Sequence, residues 1–317
     1  MRNLRVVSAL LILVIALLTA NPAAAQPRMI DLGTLGGDRS GALDINLRGQ
    51  IVGFSNMSSG GPDHAFLWQG GRMTDLGTLG GPGSLARSIN IRGQIVGRSY
   101  TTDSLHATLW HRGRITDLGT LKGGYSEAYA INDLGHVVGL SDGEVFLYEG
   151  GRMRGLGTLG WREVVPVAMN NRGQIAGWGV TPEGNLRGFL WNRGLMAELP
   201  TLGGNISQAY GINDRGQAVG VATLAPNEYF HAVLWERGSV IDLGTLPGSN
   251  SGIALDINNR AQVVGAAPGF FWEDRNMTPL PTLGGSSSEG RAINDRGHVV
   301  GQSYTSSGEL HAFLWTR

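Results

Sequence analysis

Apolar and polar residues alternate over short stretches along most of the chain, and turns rich in glycine and asparagine separate these stretches. Alternation with a period of two residues is typical of a strand with one buried face, and no stretch has the 3.6-residue period of an amphipathic helix. The first complete pattern predicts four strands, at residues 42–46, 50–55, 64–68 and 72–76. Because the connections 46–49 and 69–71 carry the Asn or Gly that tight turns need, we expect antiparallel hairpins.

This four-strand pattern occurs seven times, and its most regular phrase is Ile-Asn-x-x-Gly-Gln-x-Val-Gly. Successive copies lie 44, 42, 38, 43, 45 and 36 residues apart. Four antiparallel strands in a repeat of about 40 residues are typical of a β-propeller blade. The sequence therefore predicts an all-β, seven-bladed β-propeller over residues 26–317. The asparagines of the seven copies are Asn46, Asn90, Asn132, Asn170, Asn213, Asn258 and Asn294.

The two ends of the chain predict how the ring closes. Residues 29–33 are an isolated copy of the fourth strand, whereas the last repeat ends after its third strand, at 311–315. If the N-terminal strand completes the last blade, the ring has no open edge. A linear solenoid is the alternative, and it leaves the spare strand unexplained.

The first 25 residues predict a secretory signal peptide. Arg2 and Arg5 precede an apolar run at 6–20, and Ala23-Ala24-Ala25 offers a cleavage site before Gln26. The run is shorter than a membrane-spanning helix needs, so an uncleaved anchor is the less favoured alternative and no membrane span is expected after cleavage. The chain has no cysteine, which excludes disulfides and thiol catalysis. Its near-neutral charge without a basic cluster argues against nucleic acid as a partner.

The recurrent phrases His-Ala-Phe-Leu-Trp, Asp-Leu-Gly-Thr-Leu-Gly-Gly and Ile-Asn-x-x-Gly-Gln-x-Val-Gly resemble the HAF-repeat family of bacterial extracellular proteins. The resemblance covers residues 29–317 and implies secretion and tandem repeats; the family has no established activity to transfer. Repeats three, four and six depart from it, with Val145-Phe146, Gly188-Phe189 and Gly269-Phe270 in place of the His-Ala-Phe tripeptide.

The regular histidines, aspartates and aromatic residues favour structural roles. His64, His106, His231 and His311 begin third strands, which lie too far apart in a propeller to share one metal ion, so we expect packing or hydrogen bonding. The aromatic residue that ends each third strand is expected in the core between blades, with a sugar-stacking platform as the alternative. For Asp31, Asp75, Asp117 and Asp242, turn capping is favoured over calcium binding. We predict no metal and no cofactor.

Two ion pairs between blades are predicted from the first strands. The residue before each Ile-Asn isoleucine is small or acidic, and the residue before that one is mostly large. If these positions point to opposite faces, the small residue of one blade meets the large residue of the next. This arrangement pairs Asp44 with Arg87 and Asp256 with Arg291.

Residues that break the repeat near the axis are the candidate ligand site. Glu127, Gln208 and Glu289 occupy one first-strand position, and Arg39, Tyr125 and Arg162 are near that level in sequence. Ordinary solvated residues at the rim are the alternative interpretation. The second-to-third strand links also vary in length, which is typical of a binding face.

The function hypothesis that we favour is a secreted, non-catalytic module, periplasmic or extracellular, that binds or scaffolds a protein or glycan. The alternative is a secreted hydrolase or lyase that uses carboxylates at the axial mouth. Recognisable catalytic motifs are missing from the sequence, and fold analogy alone supports the enzyme.

Overall fold

The computed structural model describes residues 27–225 and 229–317, so the predicted signal peptide at 1–25 lies outside the described residues. The described chain contains 28 β-strands in seven four-stranded antiparallel sheets. None of the described residues belongs to a helix long and apolar enough to cross a membrane.

The strands follow one another blade by blade, after β1 (Arg28–Asp31). Blade 1 has β2 (Ser40–Ile45), β3 (Ile51–Asn56), β4 (Asp63–Gln69) and β5 (Arg72–Asp75). Blade 2 has β6 (Ser84–Ile89), β7 (Ile95–Tyr100), β8 (Leu105–His111) and β9 (Arg114–Asp117). Blade 3 has β10 (Ser126–Ile131), β11 (Val137–Ser141), β12 (Glu144–Glu149) and β13 (Arg152–Gly157). Blade 4 has β14 (Glu163–Met169), β15 (Ile175–Val180), β16 (Leu186–Asn192) and β17 (Leu195–Glu198).

The remaining blades continue in the same order. Blade 5 has β18 (Gly203–Ile212), β19 (Ala218–Leu224), β20 (Tyr229–Glu236) and β21 (Ser239–Gly244). Blade 6 has β22 (Ile253–Ile257), β23 (Val263–Ala266), β24 (Phe270–Glu273) and β25 (Asn276–Pro279). Blade 7 has β26 (Gly284–Ile293), β27 (Val299–Thr305) and β28 (Leu310–Thr316), and β1 is its fourth strand.

The N-terminal strand closes the ring, as the spare strand predicts. Strand β1 is antiparallel to β28, with Arg28 opposite Thr316 and Asp31 opposite Phe313. The fold is therefore a seven-bladed β-propeller, and the linear solenoid is wrong.

The hydrophobic core lies between neighbouring blades. One cluster, for example, joins Val96 and Ala107 of blade 2 to Ala128, Ile131 and Phe146 of blade 3. The aromatic residues that end the third strands belong to these clusters, and Trp235 is 1 % exposed. Packing in these clusters explains their recurrence and favours a core role over a sugar platform, although Trp68, Tyr148, Trp191 and Trp272 are only partly buried.

A ring of asparagines surrounds the axis at one end of the channel. In each blade the Asn side chain accepts hydrogen bonds from its own turn, as Asn46 does from the amides of Arg48 and Gln50. Its Nδ2 donates to the main-chain carbonyl of the corresponding Asn in the next blade, from Asn46 to Asn90 and onwards. We call these seven residues the Asn ring: Asn46, Asn90, Asn132, Asn170, Asn213, Asn258 and Asn294.

The face of the propeller that carries the Asn turns and the hairpins between third and fourth strands is called the turn face. The opposite face, called the link face, carries the links between blades and the loops between second and third strands. First strands run from the link face towards the turn face, so the level of each side chain in the channel follows from its position along the strand.

Candidate functional site

A cavity of about 900 Å³ lies on the axis and reaches the Asn turns at the turn face. Its wall is formed by the second halves of the seven first strands, and Trp178 of β15 also reaches it. We call it the axial cavity. The large side chains around its wall, in blade order, are Leu43, Arg87, Tyr129, Val167, Tyr210, Leu255 and Arg291.

Arg87 is held in place by the neighbouring blade. Its Nε lies 2.5 Å from Oε1 of Glu127, and Arg98 reaches Oε2 of the same carboxylate at 3.2 Å. The guanidinium also lies over the ring of Tyr129, 4.6 Å from its centroid. Burial raises the pKa of Tyr129, and the nearby Glu127 carboxylate adds to this effect. The Glu127 carboxylate therefore forms ion pairs with two arginines, one through each oxygen.

Arg291 pairs within its own blade. One of its η nitrogens lies 2.6 Å from Oε2 of Glu289, which also accepts a hydrogen bond from Gln302 at 3.0 Å. The Nε of Arg291 is enclosed by protein and has no hydrogen-bond partner within residues 27–225 and 229–317. This donor lies in a residue that lines the axial cavity.

The predicted ion pairs of Asp44 with Arg87 and of Asp256 with Arg291 are wrong, because neither occurs among the ion pairs of the described residues and both arginines contact glutamates instead. The carboxylate of Asp44 accepts from the backbone amide of Ile89, in the next blade, at 2.8 Å. Asp256 does the same with Ile293. The residue before the Ile-Asn isoleucine therefore does contact the next blade, but its side chain meets the backbone of that blade and not an arginine side chain.

A β-bulge is the physical reason for this error. The register of β2 against β3 shifts between Ala42 and Asp44, so Leu43 is an extra residue with no partner opposite. Strand alternation fails at this point, and Leu43 and its equivalents face the channel. The same shift occurs in the first strands of the other six blades.

Two partly buried aspartates that line the axial cavity, Asp44 and Asp256, have raised pKa values. Burial raises the pKa of Asp256 to about 7, and the Asp44 and Asp295 carboxylates add to the shift while two backbone amides oppose it. Burial also raises the pKa of Asp44, against hydrogen bonds from the Ile89 amide and the Ser88 hydroxyl.

A second set of polar side chains follows the Asn ring at the mouth of the cavity. Asn171 bridges Asp133 and Asp214 at 3.1 Å each, and Asn259 bridges Asp214 and Asp295 at 3.4 and 3.0 Å. In blades 1 and 2 the equivalent residues are Leu47 and Ile91. Among the described residues, no group of three or more His, Asp or Glu side chains is arranged to hold a metal ion.

The structure does not bring the six predicted ligand residues together. Neither Glu127 nor Glu289 lines the axial cavity, and each forms its own ion pair in a different blade. Gln208 accepts a hydrogen bond from the hydroxyl of Tyr210 in the same blade.

The other three predicted residues lie at the link face. Arg39 forms a two-pronged ion pair with Asp63 in blade 1, at 2.9 and 3.0 Å. Tyr125 is 46 % exposed on the link into blade 3. Arg162 is exposed at the start of blade 4. The pKa of nearby Glu183 is lowered, mainly by a hydrogen bond with the Thr181 side chain and to a smaller extent by the charge of Arg162.

Sequence reasoning missed the aromatic wall of the cavity. Tyr129 and Tyr210 occupy the bulged position, so they face the axis and not a neighbouring blade. Trp178 directly follows the glycine of the Val-Gly phrase, a position that varies between blades. That variation is the signal that distinguishes it from the regular residues.

The regular histidines form pairs with the regular aspartates. His64 contacts Asp75 at 3.0 Å, and the pairs His106–Asp117, His231–Asp242 and His311–Asp31 repeat the contact. Each aspartate also accepts from the amide of a glycine two residues later, which confirms turn capping. Blade 4 replaces the pair with Arg187 and Glu198, 2.9 Å apart. The HAF histidine therefore joins the third and fourth strands.

Exposed aromatic side chains are concentrated on the link face. All the large aromatic residues that are exposed among the described residues lie there, near the ends of second strands, at the starts of third strands or on a link. They are Tyr100, Tyr125, Tyr229, Phe230 and Tyr304, and Met57 is exposed on the same face.

Comparison with solved structures supports the propeller class. The chain is similar to the β-propeller domain of the Trilobed protease from Pyrococcus furiosus, which is described as having an open velcro topology. The TM-score is 0.58 at 10 % identity, over 87 % of this chain and 95 % of that one. At this identity the likeness shows the fold alone.

Two weaker likenesses add no argument about function. A gluconolactonase from Xanthomonas campestris aligns with a TM-score of 0.42 at 9 % identity, over 92 % of this chain and 90 % of that one. TolB from Acinetobacter baumannii aligns with 0.47 at 11 %, over 90 % and 65 %. No family model matches the sequence, and no curated protein does.

Proposed function

We propose that this protein is an exported, non-catalytic propeller of the HAF-repeat type that binds or scaffolds a protein or glycan outside the cytoplasm. The proposal of export rests on the predicted signal peptide at 1–25. The proposal of binding rests on the link face. No cofactor is part of the proposal, and its partner is neither nucleic acid nor a membrane.

The observation that carries the proposal is the set of exposed aromatic residues on the link face. Tyrosine and phenylalanine supply large apolar contact areas, and tyrosine adds a polar hydroxyl, so these residues are enriched at binding surfaces. Tyr304, Met57, Tyr100 and Tyr125 follow one another around blades 7, 1, 2 and the link into blade 3. One macromolecular partner that covers this part of the rim would contact all four side chains.

The enzyme alternative has less support. A pair of carboxylates for hydrolysis needs to flank a shared space, at about 5–10 Å separation. Glu127 instead holds Arg87 and Arg98, and Glu289 holds Arg291 and accepts from Gln302. Neither carboxylate lines the axial cavity.

A pull-down from an extracellular fraction and a glycan array, both with residues 26–317, test the proposal. We expect the double variant Tyr100→Ser, Tyr304→Ser to lose the partner. The matched control is Leu195→Ser, because Leu195 is 79 % exposed on a turn-face hairpin. Equal loss in both variants, or substrate turnover that Glu127→Gln abolishes, would contradict the proposal.

A further inference from the structure

The axial cavity offers a second site, separate from the link face. It reaches the turn face, at the other end of the channel from Tyr100 and Tyr304. Its volume of about 900 Å³ lies within the range of small-molecule sites. The link-face proposal does not depend on it.

The cavity has an aromatic side. Tyr129 in blade 3, Trp178 in blade 4 and Tyr210 in blade 5 all line it, with Val167 between the two tyrosines in blade order. The Arg87 guanidinium lies over the ring of Tyr129, so Trp178 and Tyr210 provide the apolar faces on which the C–H face of a flat ring can lie.

Blades 7 and 2 supply hydrogen-bond donors. Arg291 and Arg87 line the cavity from blades 7 and 2, on either side of Leu43 in blade 1. Arg87 uses only Nε for Glu127, and within residues 27–225 and 229–317 its two η nitrogens make no hydrogen bond. Arg291 uses one η nitrogen for Glu289 and its Nε is enclosed by protein, so its other η nitrogen is the donor left for a ligand. Two guanidinium groups therefore retain N–H groups for a ligand near the cavity.

Acceptors are also present. Asp44 and Asp256 line the cavity, and each carboxylate oxygen receives one backbone amide. Asp44 also receives the Ser88 hydroxyl, and lone pairs remain on both residues for a ligand. A ligand that contacts both the donors and the acceptors needs groups that donate and accept. Hydroxyl groups do both.

The charges of the wall select against an anion. Five aspartates and two arginines line the cavity, and each arginine is already paired with a glutamate. Burial raises the pKa of Asp44 and Asp256 and so reduces their negative charge, but the wall still holds more carboxyl groups than unpaired cations, which disfavours an anionic ligand. A purely apolar ligand would leave the remaining hydrogen-bonding capacity of these side chains unused. A neutral ligand with many hydroxyl groups avoids both costs.

We infer that the axial cavity binds a neutral oligosaccharide of about two sugar units. Its rings lie against Trp178 and Tyr210. Its hydroxyl groups accept hydrogen bonds from Arg87 and Arg291 and donate them to Asp44 and Asp256.

Calorimetric titration of residues 26–317 with maltose, cellobiose and N,N′-diacetylchitobiose tests the inference, and digalacturonic acid is the acidic comparison. We expect at least one neutral disaccharide to bind and the acidic one not to bind. Val167→Trp fills the cavity without removing a polar contact and should weaken binding more than about tenfold. Tyr210→Ala should weaken it in the same direction, and this second variant keeps the test open if Val167→Trp does not fold.

A link-face control separates this inference from the binding proposal. Tyr229→Ala, far from the cavity wall, should leave disaccharide affinity unchanged. Binding should also alter tryptophan fluorescence in the wild type and not in Trp178→Phe. Absence of binding by all three neutral sugars, preference for the acidic sugar, or an affinity that Val167→Trp and Tyr210→Ala leave unchanged would overturn the inference. The link-face proposal is tested separately, by loss of the partner in the double variant Tyr100→Ser, Tyr304→Ser.

Discussion

Asn294 donates a hydrogen bond from Nδ2 to the main-chain carbonyl of Asn46, 3.1 Å away and 248 positions apart in sequence. This bond completes the Asn ring, since the other six bonds each join consecutive blades. The Asn of the Ile-Asn-x-x-Gly-Gln phrase therefore builds a turn within its own blade and fastens that blade to the next. Most of the regular phrase is accounted for by assembly of the ring.

Replacing Asn294 should destabilise the closed ring. Asn294→Ala removes a buried donor, leaves the carbonyl of Asn46 without it, and removes the acceptor for the amides of Arg296 and His298. We expect a loss of about 2–4 kcal/mol in the free energy of unfolding, because buried polar groups are left unpaired. Asn276→Ala, at an exposed position of β25, is the control and should change stability by less than about 0.5 kcal/mol. Equal melting temperatures for the two variants would refute a structural role for the ring.

The fold could be predicted from the sequence because it depends on regular features. Strand alternation defines the four strands of a blade, and the spare strand at 29–33 predicts the closure that β1 and β28 make. Strand limits differ from the prediction by no more than two residues at each end: 42–46 became Ser40–Ile45, for example. The strand prediction is strengthened by the repeat, because the same four-strand pattern occurs in seven copies.

The site was harder to predict because it depends on irregular backbone. The bulge at Leu43 and its equivalents turns the large residues towards the axis, and no residue type marks that shift in a sequence. Arg87 and Arg291 could therefore not be assigned to their true partners, Glu127 and Glu289. Strand alternation correctly predicted that Asp44 contacts blade 2. It predicted the wrong partner there, since Asp44 accepts from the backbone amide of Ile89 and not from the Arg87 side chain.

The His311–Asp31 contact should strengthen the attachment of the closing strand. It joins β28 to β1, 2.9 Å between Nδ1 and Oδ2, but Asp31 is 43 % exposed, so we expect a coupling energy of only about 0.5 kcal/mol. A double-mutant cycle of His311→Ala and Asp31→Ala measures it, with amide exchange in β1 as a second readout. The exchanged pair His311→Arg, Asp31→Glu should retain the coupling, because Arg187 and Glu198 make the same contact in blade 4. A zero coupling energy would count against the pairing.

The glycine of the Val-Gly phrase should not tolerate a side chain. A Cβ on Gly220 would lie 1.9 Å from the backbone oxygen of Gln208 in the neighbouring first strand, which the bulge brings close. Gly220→Ala should lower the free energy of unfolding by about 2–4 kcal/mol, as overpacking against backbone does. Gly155→Ala is the matched control, because a Cβ there meets only side-chain ends of Leu121 and Glu144 at 3.2–3.3 Å. Chemical denaturation of both variants measures the difference, and a Gly220→Ala protein as stable as the control would be inconsistent with this packing.

Ionisation of Asp256 should make the protein less stable as the pH rises. Its folded pKa of about 7 lies above the ordinary value of 3.8, so the folded state holds a proton that the unfolded state releases first. The stabilisation is complete below about pH 4 and is lost as the pH rises through about 7. A shift of one pKa unit is worth about 1.4 kcal/mol, and because the side chain retains contact with the channel we expect a loss of about 1–3 kcal/mol.

Asp256→Asn isolates that effect, since the amide stays neutral over the whole range. The amide nitrogen of the variant cannot accept from a backbone N–H as a carboxyl oxygen does, so the variant should be less stable than the wild type near pH 4. Between pH 4 and 8 the difference should shift in favour of the variant by about 1–3 kcal/mol, measured by urea unfolding at each pH. Asp274→Asn, which removes one charge at an exposed site, controls for the change in net charge and should follow the wild-type profile at every pH. A constant difference between Asp256→Asn and the wild type from pH 4 to 8 would show that Asp256 does not titrate in this window.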